Sequence, residues 1–200
     1  MARVIVTAPT ILEDNLRAEG YSIVAGVDEA GRGPLAGPVV ACAVVLPPGL
    51  IIEGVNDSKK LSEKRREELA EKIKAAAVAF AYGIIGAAKI DEINILRATM
   101  LAMEIAVKSL DVAPNAVLVD GNQMPNLAQH AVCVTKGDAN SHLIAAASIL
   151  AKTKRDEMML DLHEKYPEYG FDRHKGYGTV MHKQALEKFG PCPEHRKTFI

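Results

Sequence analysis

Cysteine is scarce in this 200-residue chain, which has only Cys42, Cys133 and Cys192. An odd, widely spaced set of three excludes a disulfide framework and points to reduced thiols, the state of a cytoplasmic protein. No apolar run approaches the roughly 18 residues of a membrane span. The apolar core of the opening MARVIVTAPT is too short for a secretory signal. A surplus of charge is missing as well: 24 Lys and Arg face 25 Asp and Glu, for a formal net charge of −1. A protein that held nucleic acid by bulk charge alone would be basic, so any such binding must use local patches. Repeats, low-complexity tracts and a Pro/Gly/Ser linker are absent too, which leaves one domain spanning 1–200.

The chain does contain alternating apolar strands and amphipathic helices. ILEDNLRAEG (11–20) predicts a short helix stopped by Gly20, inside an N-terminal extension of residues 1–20. Residues 23–28 and PVVACAVVL (38–46) predict buried strands, the second closed by Pro47-Pro48. Ser62 caps a predicted helix with Glu63 in its first turn and Leu69, Ile73 and Ala76 on one face. VAFAYGIIG (78–86) predicts a third strand. Residues 91–110 predict one long helix capped by Asp91, with Ile93, Leu96, Met100, Met103 and Val107 along one side. NAVLVDGN and HAVCVTKGD predict short strands, each running into an aspartate. Residues 141–166 predict a helix whose Ala-rich start suits packing on a sheet, and a last helix is expected at about 179–188. Met100, Met103, Met158 and Met159 read as core filling, and His163 and His182 as surface positions. Three strands in succession, then strands alternating with helices, predict an α/β fold with a mixed sheet. In such sheets ligands sit beyond the carboxyl ends of the strands, near the switch in strand order.

That is where the acids fall. Asp28 and Glu29, in GVDEAGRGPLAG, end the first strand, and Asp120 and Asp138 end or follow two others. One such acid is an ordinary turn residue. Several that converge repel and raise one another's pKa unless a cation lies between them. No histidine or cysteine adjoins them, and all-oxygen ligands suit Mg²⁺ or Mn²⁺ rather than zinc. Two such ions about 3.5–4 Å apart can activate water and stabilise the leaving oxygen of a phosphodiester.

GRGPLAG lacks the Lys-Ser/Thr of a phosphate-binding P-loop, and its third glycine is one residue late for a dinucleotide fingerprint. Gly31 and Gly33 allow a ligand close to the backbone, and Arg32 adds a phosphate-binding fork; a tight hairpin turn would use the same residues. NDSKK (56–60) sets Lys59 and Lys60 ahead of a helix. RHKGYGT (173–179) gathers Arg173, His174, Lys175 and Tyr177, the mixture that sugar or base stacking needs. Over 171–200, Arg173, Lys175, Lys183, Lys188, Arg196 and Lys197 outnumber Asp172, Glu187 and Glu194, a basic C-terminal segment. CPEH (192–195) could begin a zinc site, but no second Cys/His pair completes it.

In order from about residue 22 to 198, GVDEAGRGPLAGPVVACAVVL, NDSKKLS, NILRATMLAM, VLVDGN, KGD, AAASILAKTKRD, YGFDRHKGYGT and a late HR resemble the bacterial ribonuclease HII family. The resemblance implies the ribonuclease H-like fold, a five-stranded mixed sheet flanked by helices. It implies an endonuclease that cuts 5′ of ribonucleotides in RNA–DNA hybrids, single ribonucleotides in duplex DNA included, leaving a 3′-hydroxyl and a 5′-phosphate. By motif, Asp28, Glu29, Asp120 and Asp138 become the catalytic acids and the ligands of two Mg²⁺ or Mn²⁺ ions, with Asp156 of KRD the rival for the fourth place. Gly31, Arg32 and Gly33 become readers of the ribose 2′-hydroxyl, which distinguishes RNA from DNA. Tyr177 becomes the ring that stacks on the sugar at the RNA–DNA junction, and Lys59 and Lys175 the basic contacts to substrate. Many members continue past the HR segment with helices that help hold the duplex, so an end at Ile200 predicts a weaker grip. The related ribonuclease HIII usually carries an extra N-terminal domain, for which 20 or so residues ahead of the first strand are too few. A non-catalytic binding module would not need all four acids. A monomer is expected, since no apolar stripe is evident; contact with a sliding clamp stays open at this point.

Overall fold

The computed structural model describes residues 6–200; residues 1–5, the start of MARVIVTAPT and of the N-terminal extension, lie outside the described residues. Five strands, β1 (Val24–Ala30), β2 (Val39–Val45), β3 (Ala79–Ile85), β4 (Ala116–Asp120) and β5 (His130–Val134), form one sheet in the order β3-β2-β1-β4-β5. β1 pairs antiparallel with β2, and β2 with β3; β1 pairs parallel with β4, and β4 with β5. The five-stranded mixed sheet is the one expected. Around it run α1 (Ile11–Ala18), α2 (Glu63–Ala76), α3 (Ala87–Ile93), α4 (Ile95–Lys108), α5 (Gly137–Asn140), α6 (His142–Lys165), α7 (Phe171–His174) and α8 (Val180–Phe189).

The central strands are buried on both sides and so read as continuous apolar runs rather than alternating ones. Val24, Cys42, Val44 and Leu118 pack against the Ala-rich start of α6, with Leu69 and Ile73 of α2 alongside. Ala25, Val27, Ala41, Ala43, Val117 and Val119 pack on the other side against Ala98, Ala102, Met103 and Ala106 of α4. Two glycines permit this closeness. A Cβ on Gly26 would collide with the Leu143 backbone of α6, and one on Gly83 with the Ala102 carbonyl of α4. The parallel register sets Val27 opposite Val119, so Asp28 and Asp120 leave the sheet side by side.

Two sequence expectations need correction here. Residues 91–110 form two helices, not one. Asn94 stands between them at φ 66° and caps α4 by accepting the Arg97 N–H at 3.1 Å. Asparagine tolerates the left-handed region and is a strong N-cap, which makes it a natural break point. Asp91 therefore lies within α3, where it accepts the Lys197 and Thr198 N–H groups at 2.9 and 3.0 Å. Leu96 is exposed and the buried stripe runs through Ala98, Ala102 and Met103 instead. The second correction is His182, which is fully buried rather than a surface position.

Candidate active site

Asp28 and Glu29 at the end of β1 and Asp120 at the end of β4 bring carboxylate oxygens within 4.8 Å of one another. Burial raises the Asp28 carboxyl well above its ordinary range, and Glu29 and Asp120 push it further. Two groups oppose this: the Ser148 hydroxyl and the Glu29 N–H, which donates to Asp28 Oδ1 at 2.6 Å. Burial also raises Glu29, against the pull of Arg32, whose Nη1 lies 3.5 Å from Glu29 Oε1. Asp120 accepts the Gly137 N–H at 2.7 Å, which ties β4 to the loop that carries the fourth acid.

That acid, Asp138, sits in the first turn of α5, outside the tight group of three. Burial, Asp57 and Asp120 raise its pKa, with Lys59 opposing. Asp57, not singled out from sequence, thus belongs to this neighbourhood. Lys59 lies 3.9 Å from Asp138 Oδ2. Burial pulls its ammonium down, but Asp138, Asp28, Asp57 and Asp120 together outweigh that and hold it above its ordinary value. The rival acid Asp156 lies elsewhere, paired with Lys152 at 2.6 Å and Arg66 at 3.4 Å. Ser58 and Ser148 share a buried 2.9 Å hydrogen bond, and Ser148 in turn supports Asp28. Lone serines give no sequence signal for such a role.

The glycine loop joins β1 to β2 beside these acids. Gly31 adopts φ 99°, a conformation open to glycine, and a Cβ there would strike the Arg155 side chain. A Cβ on Gly33 would lie 3.8 Å from the Tyr177 ring, so the loop and the tyrosine are neighbours. Tyr177 is 44% exposed yet held at both ends: Arg155 lies over the ring at 6.0 Å and His182 Nδ1 meets the Tyr177 carbonyl at 3.0 Å.

Residues 25–200 match the family model described as Ribonuclease HII. The chain belongs to the ribonuclease HII family. It is thereby a hydrolase of the ribonuclease H class. It is 53% identical over 190 residues to the ribonuclease HII of Chlamydia pneumoniae, covering 94% of this chain and 87% of that one. Among solved structures, ribonuclease H2 from Pyrococcus horikoshii OT3 superposes with a TM-score of 0.72 at 28% identity, covering 88% of this chain and 93% of that one. The ribonuclease HII of Archaeoglobus fulgidus, solved as a complex with PCNA, gives 0.73 at 27% identity, with 89% and 95% covered.

Some of the basic residues of this chain turn inward. Lys175 donates to the Asp172 carbonyl at 2.6 Å and lies 3.5 Å from Glu63, so its ammonium faces α2 rather than the acids. Arg196, counted in the basic C-terminal segment, is fully buried and not part of the positive surface. His195 and Cys192 of CPEH join a buried cluster instead of a metal site. His195 Nε2 meets His182 Nε2 at 2.9 Å, and its Nδ1 accepts the Cys192 N–H at 3.0 Å, so both ring nitrogens are occupied. Burial and the neighbouring His182 push His195 down to about 4. Its ring is neutral at physiological pH, as the hydrogen bonds require.

Proposed function

We propose that this chain is a divalent-metal-dependent endoribonuclease that acts as a monomeric, single-domain enzyme in the cytoplasm. It hydrolyses the phosphodiester 5′ of ribonucleotides in RNA–DNA hybrids and of single ribonucleotides in duplex DNA, leaving 3′-hydroxyl and 5′-phosphate ends. The observation that carries this reading is the convergence of Asp28, Glu29 and Asp120 within 4.8 Å, beside a glycine loop that abuts Tyr177. The donors fit Mg²⁺ or Mn²⁺: all are oxygens, and burial together with the neighbouring carboxylate charge holds Asp28 and Glu29 above their ordinary range, as in a site short of positive charge. Asp28, Glu29, Asp120 and Asp138 would hold the ions. Such ions supply Lewis acidity at the scissile phosphate and a nucleophile from water at neutral pH.

The protein's own residues do the positioning. Glu29 N–H and Ser148 fix the Asp28 carboxylate, and Gly137 N–H fixes Asp120. Lys59, exposed over the acids, meets the phosphate backbone. Gly31, Arg32 and Gly33 read the 2′-hydroxyl, and Tyr177 stacks on the sugar that follows. Among the described residues no helix is long and apolar enough to cross a membrane. The test is cleavage of a DNA duplex carrying one ribonucleotide with Mg²⁺, Mn²⁺ or EDTA, with an all-DNA control and Asp120→Asn beside wild type. A single metal-dependent cut 5′ of the ribonucleotide, lost in Asp120→Asn, is expected. Equal cutting of the all-DNA duplex would refute the role of the glycine loop.

A further inference from the structure

The glycine loop has little regular structure, yet its carbonyls are all but used up. Arg196 donates from Nε to Gly37 O at 3.0 Å, from Nη1 to Arg32 O at 3.0 Å, and from Nη2 to Gly31 O at 2.6 Å and Gly37 O at 2.9 Å. Arg155 donates to Pro38 O at 3.0 Å and Ala36 O at 3.2 Å, and to Lys175 O at 3.0 Å next to the tyrosine segment. Both guanidiniums are fully buried, and among the described residues neither pairs with a carboxylate. Fully buried charges are rare without a partner of opposite sign. Here the partners are main-chain dipoles, so the charge is spent on the shape of one loop.

That has a geometric consequence. A trans peptide group is planar, with C=O and N–H pointing in opposite directions. Because Arg196 takes the carbonyls of Gly31 and Arg32, the N–H groups of Arg32 and Gly33 must point away from it. Neither of those N–H groups has a main-chain or side-chain acceptor among the described residues. Side by side and unpartnered, next to the acids and Tyr177, they form a preset donor pair.

We propose that Arg196 is a positioning residue for ribonucleotide selection. Its guanidinium fixes two successive peptide planes so that the Arg32 and Gly33 N–H groups stand ready for a ribose hydroxyl. The inference rests on the reading above that this loop recognises the 2′-hydroxyl. Lysine cannot replace arginine here, because a single ammonium lacks the planar fork that spans three carbonyls. Phe199, stacked on the Arg196 guanidinium at 5.1 Å, holds the fork in its plane.

The test is equilibrium binding in the cleavage-deficient Asp120→Asn background, comparing a duplex with one ribonucleotide against the all-DNA duplex, with Mn²⁺ present. Asp120→Asn alone should prefer the ribonucleotide duplex. Adding Arg196→Lys should cut that preference by about tenfold, the worth of one charge-assisted hydrogen bond, while affinity for all-DNA stays unchanged. Calorimetry on the Arg196→Lys single variant should show unaltered Mn²⁺ binding, since no acid is touched. A double variant that keeps its full preference, or loses affinity for both duplexes alike, would overturn the positioning role. If Asp120→Asn alone shows no preference, the 2′-hydroxyl reading itself has failed. Should Arg196→Lys not melt cooperatively, Phe199→Leu carries the test: a smaller but measurable drop in preference supports the role, and an unchanged preference overturns it.

Discussion

Acidification should destabilise this protein through His195 before it protonates any ordinary carboxylate. The unfolded chain binds a proton at His195 near pH 6.5, whereas burial and His182 hold the folded ring down to about 4. Between those values the unfolded state carries the extra proton, so stability falls as pH falls, and the loss is complete below about pH 4. A difference of that size corresponds to about 3 kcal/mol, since each unit is about 1.36 kcal/mol. The cost has a visible cause. A proton on Nδ1 would face the Cys192 N–H donor at 3.0 Å, and the charged ring would sit among Tyr169, Phe171 and His182, without an ion pair to a carboxylate among the described residues. His182, also pushed down by burial, adds to the slope in the same direction. The raised carboxyls work the other way: Asp28, Glu29 and Asp138 bind protons more readily when folded, so they gain stability as pH falls. The comparison that isolates His195 is therefore the urea midpoint against pH, in EDTA, for wild type and His195→Gln. Wild type should lose more stability than the variant between about pH 6.5 and 4. Parallel curves would refute the assignment of a neutral, hydrogen-bonded His195.

Two further outcomes follow from the same structure. Asp28→Asn should abolish cleavage yet raise the melting temperature in EDTA, because it relieves repulsion among buried carboxylates; at this chain length each kcal/mol gained is about 2–4 °C. Added Mn²⁺ should then raise the wild-type melting temperature more than that of Asp28→Asn, and a metal-free variant no more stable than wild type would contradict the electrostatic account. At the break between α3 and α4, Asn94→Ala loses both the cap and a side chain suited to φ 66°, at about 2 kcal/mol in sum, whereas Asn94→Gly should stay within a few tenths. Equal denaturation midpoints for the two variants would rule out the backbone argument.

Much of the fold was legible because its signals are local. Apolar runs ended by Pro47-Pro48, Gly86 and Gly121 marked strands, and Ser62 does cap α2, accepting the Arg65 N–H at 3.3 Å. The acids at strand ends were legible for the same reason, as the last residues of buried runs. The break at Asn94 was hidden inside a continuous apolar pattern, since periodicity is blind to a single residue that changes backbone region. His182, Arg155 and Arg196 were misplaced or passed over for a different cause. Each looks like a solvent-facing polar residue on its own, and its burial depends on other segments: Tyr177 and His195 on either side of α8 for His182, and the loop at 31–38, far away in the chain, for the two arginines. Single-sequence reasoning has no access to such long-range partners.

The buried charges fall into two kinds, and the contrast locates function. Arg155 and Arg196 are surrounded by acceptors; every nitrogen of either fork finds a carbonyl, and their positive charge is absorbed by the main chain. Structural charges are satisfied in this way, because an unsatisfied one would cost several kcal/mol. Asp28, Glu29, Asp120 and Asp138 have only partial relief. Two backbone N–H groups, one serine hydroxyl, a half-exposed Arg32 and a largely exposed Lys59 face four carboxylates. An amide in place of any one of the acids would keep the shape and remove the repulsion. So crowded a cluster of carboxylates makes sense if the missing positive charge arrives with a ligand. The satisfied arginines then give the loop its fixed shape, and the unsatisfied acids give the site its demand for cations.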